Sequence, residues 1–120
     1  KKIQLNEELN HKDPEIIKSL TQFVIEHIDN PELSVDQLTT HMNISRTQLY
    51  NKLKKLLNLS ATEFINKIKI DVAKVKIIKT NLTIAEISWQ LGFNNPSYFS
   101  KTFKLFCVLT HNEFKNFNIK

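Results

Sequence analysis

Thr47, Asn51 and Lys54 gather on one side of a helix, flanked by Arg46 and Tyr50, when Leu49 points inward at about 100° per residue. Setting Phe99 inward does the same for Ser97, Lys101 and Lys104, with Ser100 flanking. The two sets correspond: position 47 matches 97, 50 matches 100, 51 matches 101 and 54 matches 104. Asn94 and Asn95 stand just ahead of the second set. Hydroxyls and amides suit the donor and acceptor edges of bases, and ammonium groups suit phosphates. The chemistry such groups could serve together is recognition of double-stranded DNA. Any one of these residues would fit a solvated helix face equally well, so the recurrence carries the argument.

No catalytic constellation accompanies them. The histidines (11, 27, 41 and 111) are scattered, with no HExxH and no ligand-spaced cysteines. A chain with one glycine has no phosphate-cradling loop or dinucleotide fingerprint. The sequence predicts no enzyme, no metal and no cofactor. His27 reads as a packing or surface histidine, and Cys107, after the apolar "KLF", as a small core residue. Trp89 reads as packing at the edge of its helix, with a phosphate contact through its indole N–H as the other reading. A lone cysteine excludes an internal disulfide framework. No apolar run approaches membrane-spanning length, and no signal-peptide pattern opens the chain. A reduced, cytoplasmic chain without membrane contact is expected. Its first residue is Lys1, which suggests a piece of something longer.

Charge points the same way. The net +5 conceals an asymmetry: residues 1–36 hold four lysines against eight acids, which leaves residues 37–120 a net +9. So basic a block suggests a polyanionic partner, although a lysine-rich soluble surface would carry the same sign.

Helices must position these groups. Over the 120 residues, 41% are hydrophobic, eight are Phe, one is Gly and three are Pro. That composition supports a packed core and argues against a turn-rich β fold. Residues 1–13 lack periodicity and read as a linker or tail from a preceding domain. Asp13 caps and Pro14 starts a helix with Ile16, Ile17, Leu20, Phe23, Val24 and Ile28 on one stripe. "DNPEL" ends it. Ser34 caps "SVDQLTTHM", which Asn43 closes in a left-handed conformation, and Ser45 caps "SRTQLYNKLKKLL". A long helix follows over about 61–79, with Phe64, Ile68, Ile70, Ala73 and Ile77 on or near its buried side. Thr83 caps "TIAEISWQL", Gly92 ends it, Asn95-Pro96 starts "PSYFSKTFKLF", and "THNEFKNF" closes the chain. The prediction is all-α, about seven helices, in two helix-turn-helix subdomains joined by the long helix.

An internal repeat supports that division. A shift of 49 lays Val35, Leu38, Met42, Asn43 and Ile44 on Ile84, Ile87, Leu91, Gly92 and Phe93. One extra residue in the Asn94-Asn95 turn makes the shift 50, and Leu49, Leu53, Lys54, Ser60 and Glu63 fall on Phe99, Phe103, Lys104, Thr110 and Glu113. Each unit is a short helix, a tight turn, a second helix, and a Ser/Thr-x-x-Glu capping box. That is the helix-turn-helix pattern, with a generic αα-hairpin repeat as the plainer alternative. The first unit covers about 14–58, the connecting helix about 61–79 and the second unit about 83–117. The connecting helix is about 28 Å long at about 1.5 Å per residue. It could hold two recognition helices about 34 Å apart, one turn of B-DNA.

"SRTQLYNKLKKLLNLSATEFI" and "TIAEISWQLGFNNPSYFSKTFK" resemble the DNA-binding domain of AraC/XylS-type transcription regulators, over about residues 14–117. The resemblance implies major-groove binding by both recognition helices and control of transcription, often activation through RNA polymerase. The "LYNKLKKLLNLSATEFI" version also resembles the C-terminal output domain of hybrid two-component regulators, which implies a sensor or receiver domain in the full-length chain. Three kinds of departure stand out. The family usually has Gly-x-Ser/Thr-Pro after each recognition helix, where this chain has Asn58-Leu59-Ser60-Ala61 and Val108-Leu109-Thr110-His111. Asn58 accepts a left-handed conformation; β-branched Val108 does not do so cheaply. The usual Ala of each first helix is Thr39 or Ser88, and Arg is common where Asn51 and Asn66 stand. The rival function is an all-helical protein-interaction module without specific DNA binding. It would show no strong salt dependence of nucleic-acid affinity.

Overall fold

The computed structural model describes residues 13–119, which form seven α-helices and no strand. They are α1 (Asp13–Glu26), α2 (Val35–Met42), α3 (Arg46–Leu57), α4 (Ala61–Lys79), α5 (Ile84–Gln90), α6 (Pro96–Cys107) and α7 (His111–Ile119). Of the expected tail over residues 1–13, residues 1–12 lie outside the described residues, and residue 13 already belongs to α1. Asp13, expected as the cap of the first helix, is its first helical residue.

Local chemistry explains most of the boundaries. Ser45, Ser60 and Thr83 each accept from the backbone three residues on, while Gln48, Glu63 and Glu86 return a bond to the cap. Thr110 and Glu113 do the same at 2.9 and 3.1 Å ahead of α7. Each reciprocal box satisfies two N–H groups that a helix start leaves without partners. Asn95 accepts from Ser97 N and Tyr98 N, and Pro96 follows it at the first helical position. Ser34 departs from expectation. It occupies the cap position of α2 in extended backbone, but its hydroxyl makes no capping bond.

Two turns repeat almost atom for atom. Asn43 (φ 56°) lets Ile44 N donate to Thr39 O at 3.1 Å, and Gly92 (φ 78°) lets Phe93 N donate to Ser88 O at 3.0 Å. This is the six-to-one closure that a left-handed residue allows after a helix. The hydroxyls at the usual alanine positions are absorbed locally: Thr39 Oγ1 donates to Asp36 O at 2.8 Å and Ser88 Oγ to Ala85 O at 3.1 Å.

α4 serves two cores. Its first half gives Ala61, Phe64, Ile65 and Ile68 to a cluster with Leu20, Val24, Leu38, Leu49 and Leu53. Its second half gives Ile70, Ala73 and Ile77 to a cluster with Ile87, Leu91, Phe93, Phe99 and Phe103. At about 100° per residue the two sets point to roughly opposite sides of the helix. One unit therefore packs on each side of α4. Ile28, just past the end of α1, packs against both clusters. Phe99 and Phe103 have no exposed surface, and burial of each contributes roughly 1.5–3 kcal/mol.

Gly92 also carries a spatial constraint. A Cβ there would lie 2.9 Å from the Ile28 carbonyl oxygen and 3.2 Å from that of Asn30. Val108 is the opposite case, a β-branched residue held at φ 70° with 77% of its surface exposed. Left-handed backbone costs a non-glycine residue about 1–2 kcal/mol, and here little burial offsets it. Thermal melting should separate the two turns. Gly92→Ala should lower stability by more than about 2 kcal/mol, through both strain and collision with backbone. Val108→Asn should raise it by about 1 kcal/mol, because Asn enters this region readily. A Gly92→Ala chain with wild-type melting would contradict the contact.

Candidate nucleic-acid interface

The phase of each recognition helix is fixed by side chains without exposed surface: Leu49 and Leu53 in α3, Phe99 and Phe103 in α6. On α3 this leaves Arg46, Thr47, Tyr50 and Asn51 exposed and Lys54 half-buried. On α6 it leaves Ser97, Lys101 and Lys104 exposed, with exposed Asn94 and Asn95 in the preceding turn. Ten of the eleven residues singled out from the sequence thus offer a polar group beside or on the expected face. Ser100 is different. It is half-buried and its hydroxyl lies 3.1 Å from His111 Nε2, so it joins α6 to α7 where its counterpart Tyr50 is exposed.

Several of these groups already have partners. Arg46 holds Asp36 of α2 through Nη2 at 2.8 Å and Nε at 3.0 Å. The pair is exposed, so it contributes little to stability, but it fixes the guanidinium at the start of α3 and leaves further N–H donors free. Asn95 spends its Oδ1 on the cap, at 2.8 Å from Ser97 N, and keeps its NH₂. The Lys54 ammonium lies 5.9 Å from the Tyr50 ring centroid.

The repeat extends to electrostatics. The bond from the Ser60 backbone N–H is the main cause holding the Glu63 carboxyl below its ordinary value, aided by the Ser60 hydroxyl and by Lys54, against an opposing effect of desolvation. Thr110 and Lys104 do the same to Glu113, in the same order. Because both carboxylates titrate lower folded than unfolded, their capping bonds hold above the ordinary carboxylate range and weaken only as pH falls through the lowered values. Both lysines therefore stand beside a carboxylate that stays charged at neutral pH.

Sequence reasoning overlooked a second feature. Arg46, Asn66, Lys69, Asn94, Asn95 and Tyr98 line a cleft of about 570 Å³ between the two units. Tyr98 Oη accepts from Asn66 Nδ2 at 3.1 Å, a tie from α6 back to α4. The signal was a lysine set between isoleucines, Ile68-Lys69-Ile70, where the helix changes cores. Trp89 corrects an expectation: it is 72% exposed, because Ile87, Ser88 and Leu91 take the buried side of α5 and aim position 89 outward. His27 packs instead, its ring tilted against that of Phe23 with centroids 4.2 Å apart and Nδ1 2.9 Å from Phe23 O. Cys107 is half-buried against the second core. Among the described residues no cluster of three or more His, Cys, Asp or Glu could hold a metal, and no helix is long and apolar enough to cross a membrane.

Comparison with known proteins places this geometry. A family model described as a helix-turn-helix domain matches residues 38–116. A protein named histidine kinase P4 from Formosa agariphila is 32% identical over 105 residues, which cover 87% of this chain but 8% of that protein. The lactose operon transcription activator of Staphylococcus xylosus is 28% identical over 123 residues, covering 94% of this chain and 44% of the relative. The chain thus spans less than half the length of either curated relative. A solved AraC-type transcriptional regulator from Chromobacterium violaceum superposes with a TM-score of 0.78, at 20% identity, over 89% of this chain and 95% of that one. At that identity the likeness shows the fold.

The equivalence of Lys54 and Lys104 is open to a direct test. With either replaced by Ala, affinity should fall similarly on all DNA sequences, and the slope of log K against log[salt] should flatten by about 0.9, one phosphate. Unchanged affinity and slope would remove that lysine from the interface.

Proposed function

The chain belongs to the AraC-type helix-turn-helix family of DNA-binding transcription regulators, and on that premise we propose that it reads double-stranded DNA with α3 and α6 in successive major-groove segments. The observation that carries this reading is the matched pair of twelve-residue helices, each locked in phase by two fully buried side chains and each presenting the same polar and cationic positions. Residues 14–120 act as one double helix-turn-helix DNA-binding domain. Lys54 and Lys104 take phosphates, Arg46, Asn94 and Asn95 fix the helix starts on the backbone, and Thr47, Tyr50, Asn51, Ser97 and Lys101 face base edges. Ser100 acts through His111 instead, by positioning α6.

In the full-length protein this domain is an output module, joined to a sensor or receiver part, that activates transcription through RNA polymerase in the cytoplasm. The name of the Formosa relative supports a hybrid two-component arrangement, and that of the Staphylococcus relative supports activation. The chain itself performs no catalysis.

Asn51 and Lys101 occupy equivalent positions with different chemistry. Asn suits the acceptor–donor pair of adenine, and Lys the O6 and N7 acceptors of guanine. Selection of bound sites from random duplexes should therefore give an adenine under α3, beside a thymine whose methyl meets Tyr50, and a guanine under α6. The two half-sites should lie about 10 base pairs apart. Asn51→Ala should relax only the first and Lys101→Ala only the second, each at about 1–3 kcal/mol. Variants that keep the wild-type consensus at every position would show that these side chains touch only backbone or water.

A further inference from the structure

Lys69 stands where α4 passes from one core to the other, between Ile68 and Ile70, and only 7% of its surface is exposed. Its ammonium lies 5.0 Å from the Phe93 ring centroid. Among the described residues it has no carboxylate within 4.0 Å and no hydrogen-bond partner; the three ion pairs found there are Arg46–Asp36, Lys67–Asp71 and Lys74–Asp71. Burial lowers its pKa, as expected where nothing opposite in charge compensates. A leucine or methionine would fill the same space without desolvating a cation. The ring face offsets part of that penalty and no more. The ammonium end of Lys69 reaches the cleft, where it is left available to an anion from outside the chain.

The surroundings fit one. The Lys69 side chain lines the cleft between the units, and no acidic residue shares that lining. Besides the Ser34 and Thr62 hydroxyls, the other polar groups in it are donors or donor-capable: Arg46 at the start of α3, Asn94 and Asn95 just before α6, and Tyr98, whose hydroxyl accepts from Asn66 and keeps its own hydrogen to donate. The cleft therefore opens between the leading ends of the two recognition helices. If α3 and α6 occupy successive major-groove segments, the strand between those segments must cross this opening.

We propose that the cleft is a phosphate pocket, in which Lys69 and Arg46 hold one DNA backbone phosphate between the two half-sites. The inference rests on the DNA-binding reading above. It adds a contact from α4, which is not a recognition helix, and gives the DNA a third point of register at the joint between the units. Inorganic phosphate presents the same chemistry, and the test distinguishes the two sources.

The test uses a duplex carrying the wild-type selected site, with a neutral methylphosphonate placed at each backbone position in turn. For the wild-type chain, one position between the half-sites should weaken binding about tenfold, the scale of a lost charge-assisted bond. Lys69→Met should melt at or above the wild-type temperature, bind the unmodified duplex about tenfold more weakly, lose about 0.9 from its salt slope, and be indifferent to that central substitution. Lys69→Arg should retain sensitivity. A wild-type scan with no sensitive phosphate between the half-sites overturns the proposal without recourse to any variant. So does a Lys69→Met chain with wild-type affinity and slope. If wild type saturates with millimolar inorganic phosphate in a Lys69-dependent way while the scan is flat, the pocket serves a free anion and the DNA assignment is wrong. Failure of the wild-type chain to bind any duplex in a salt-dependent manner would instead remove the underlying DNA-binding reading.

Discussion

Gly92 meets the backbone of the loop after α1, and the relative placement of the two units depends on that meeting. Its missing side chain does two things at once. It permits φ 78°, which turns the chain from α5 toward α6, and it lets the Ile28 and Asn30 carbonyls approach to where a Cβ would otherwise stand. The first requirement is shared with Asn43, which satisfies it as a short polar residue at φ 56°. The second is not, and it explains why the chain's single glycine stands at 92 and not at 43. Ile28, partly buried against both cores from the same loop, backs the contact with apolar packing.

The other link between units is α4, whose two halves bury opposite sides. Neither core is complete without it, so bending or fraying near Ile68–Ile70 would open both. Tyr98 and Asn66 bridge the units on the cleft side, and the described part of the molecule is a slab with extents of 39 × 37 × 20 Å. A thin plate with two recognition helices held by one scaffold suits the side of a duplex, where an independently moving pair would lose ordering entropy on binding. Rigidity between the units thus belongs to recognition as much as to folding.

Much of this was legible in the residues because it is local. Capping boxes, left-handed Asn and Gly turns and apolar stripes are set by interactions within a turn or two, and these fix element boundaries and helix phase. What escaped is long-range or competitive. Ser34 has the right type for a cap, yet its hydroxyl does not bond. Ser100 lies on the expected face by phase alone, and a histidine eleven residues on draws it aside. Trp89 looked like packing because tryptophan usually packs, but Ile87 and Ser88 take the buried side of a seven-residue helix, with Leu91 just past its end. Lys69 was hidden by its type: a lysine in an apolar stretch reads as a surface interruption until two cores are known to meet there. The family's glycine after the second recognition helix is replaced by Val108, and the backbone keeps the left-handed turn regardless. The requirement of the fold prevails over the preference of the residue.

Affinity as a function of base pairs inserted between the two selected half-sites tests the central claim, that the units form one rigid ruler. Each inserted pair moves one half-site by about 3.4 Å and turns it by about 35° around the duplex. The account predicts a sharp optimum: one inserted pair should weaken binding measurably, and five should reduce it to the affinity of a single half-site. Equal affinity across the series would mean that the units move independently, contradicting the junction at Gly92 and the shared helix that underlie it.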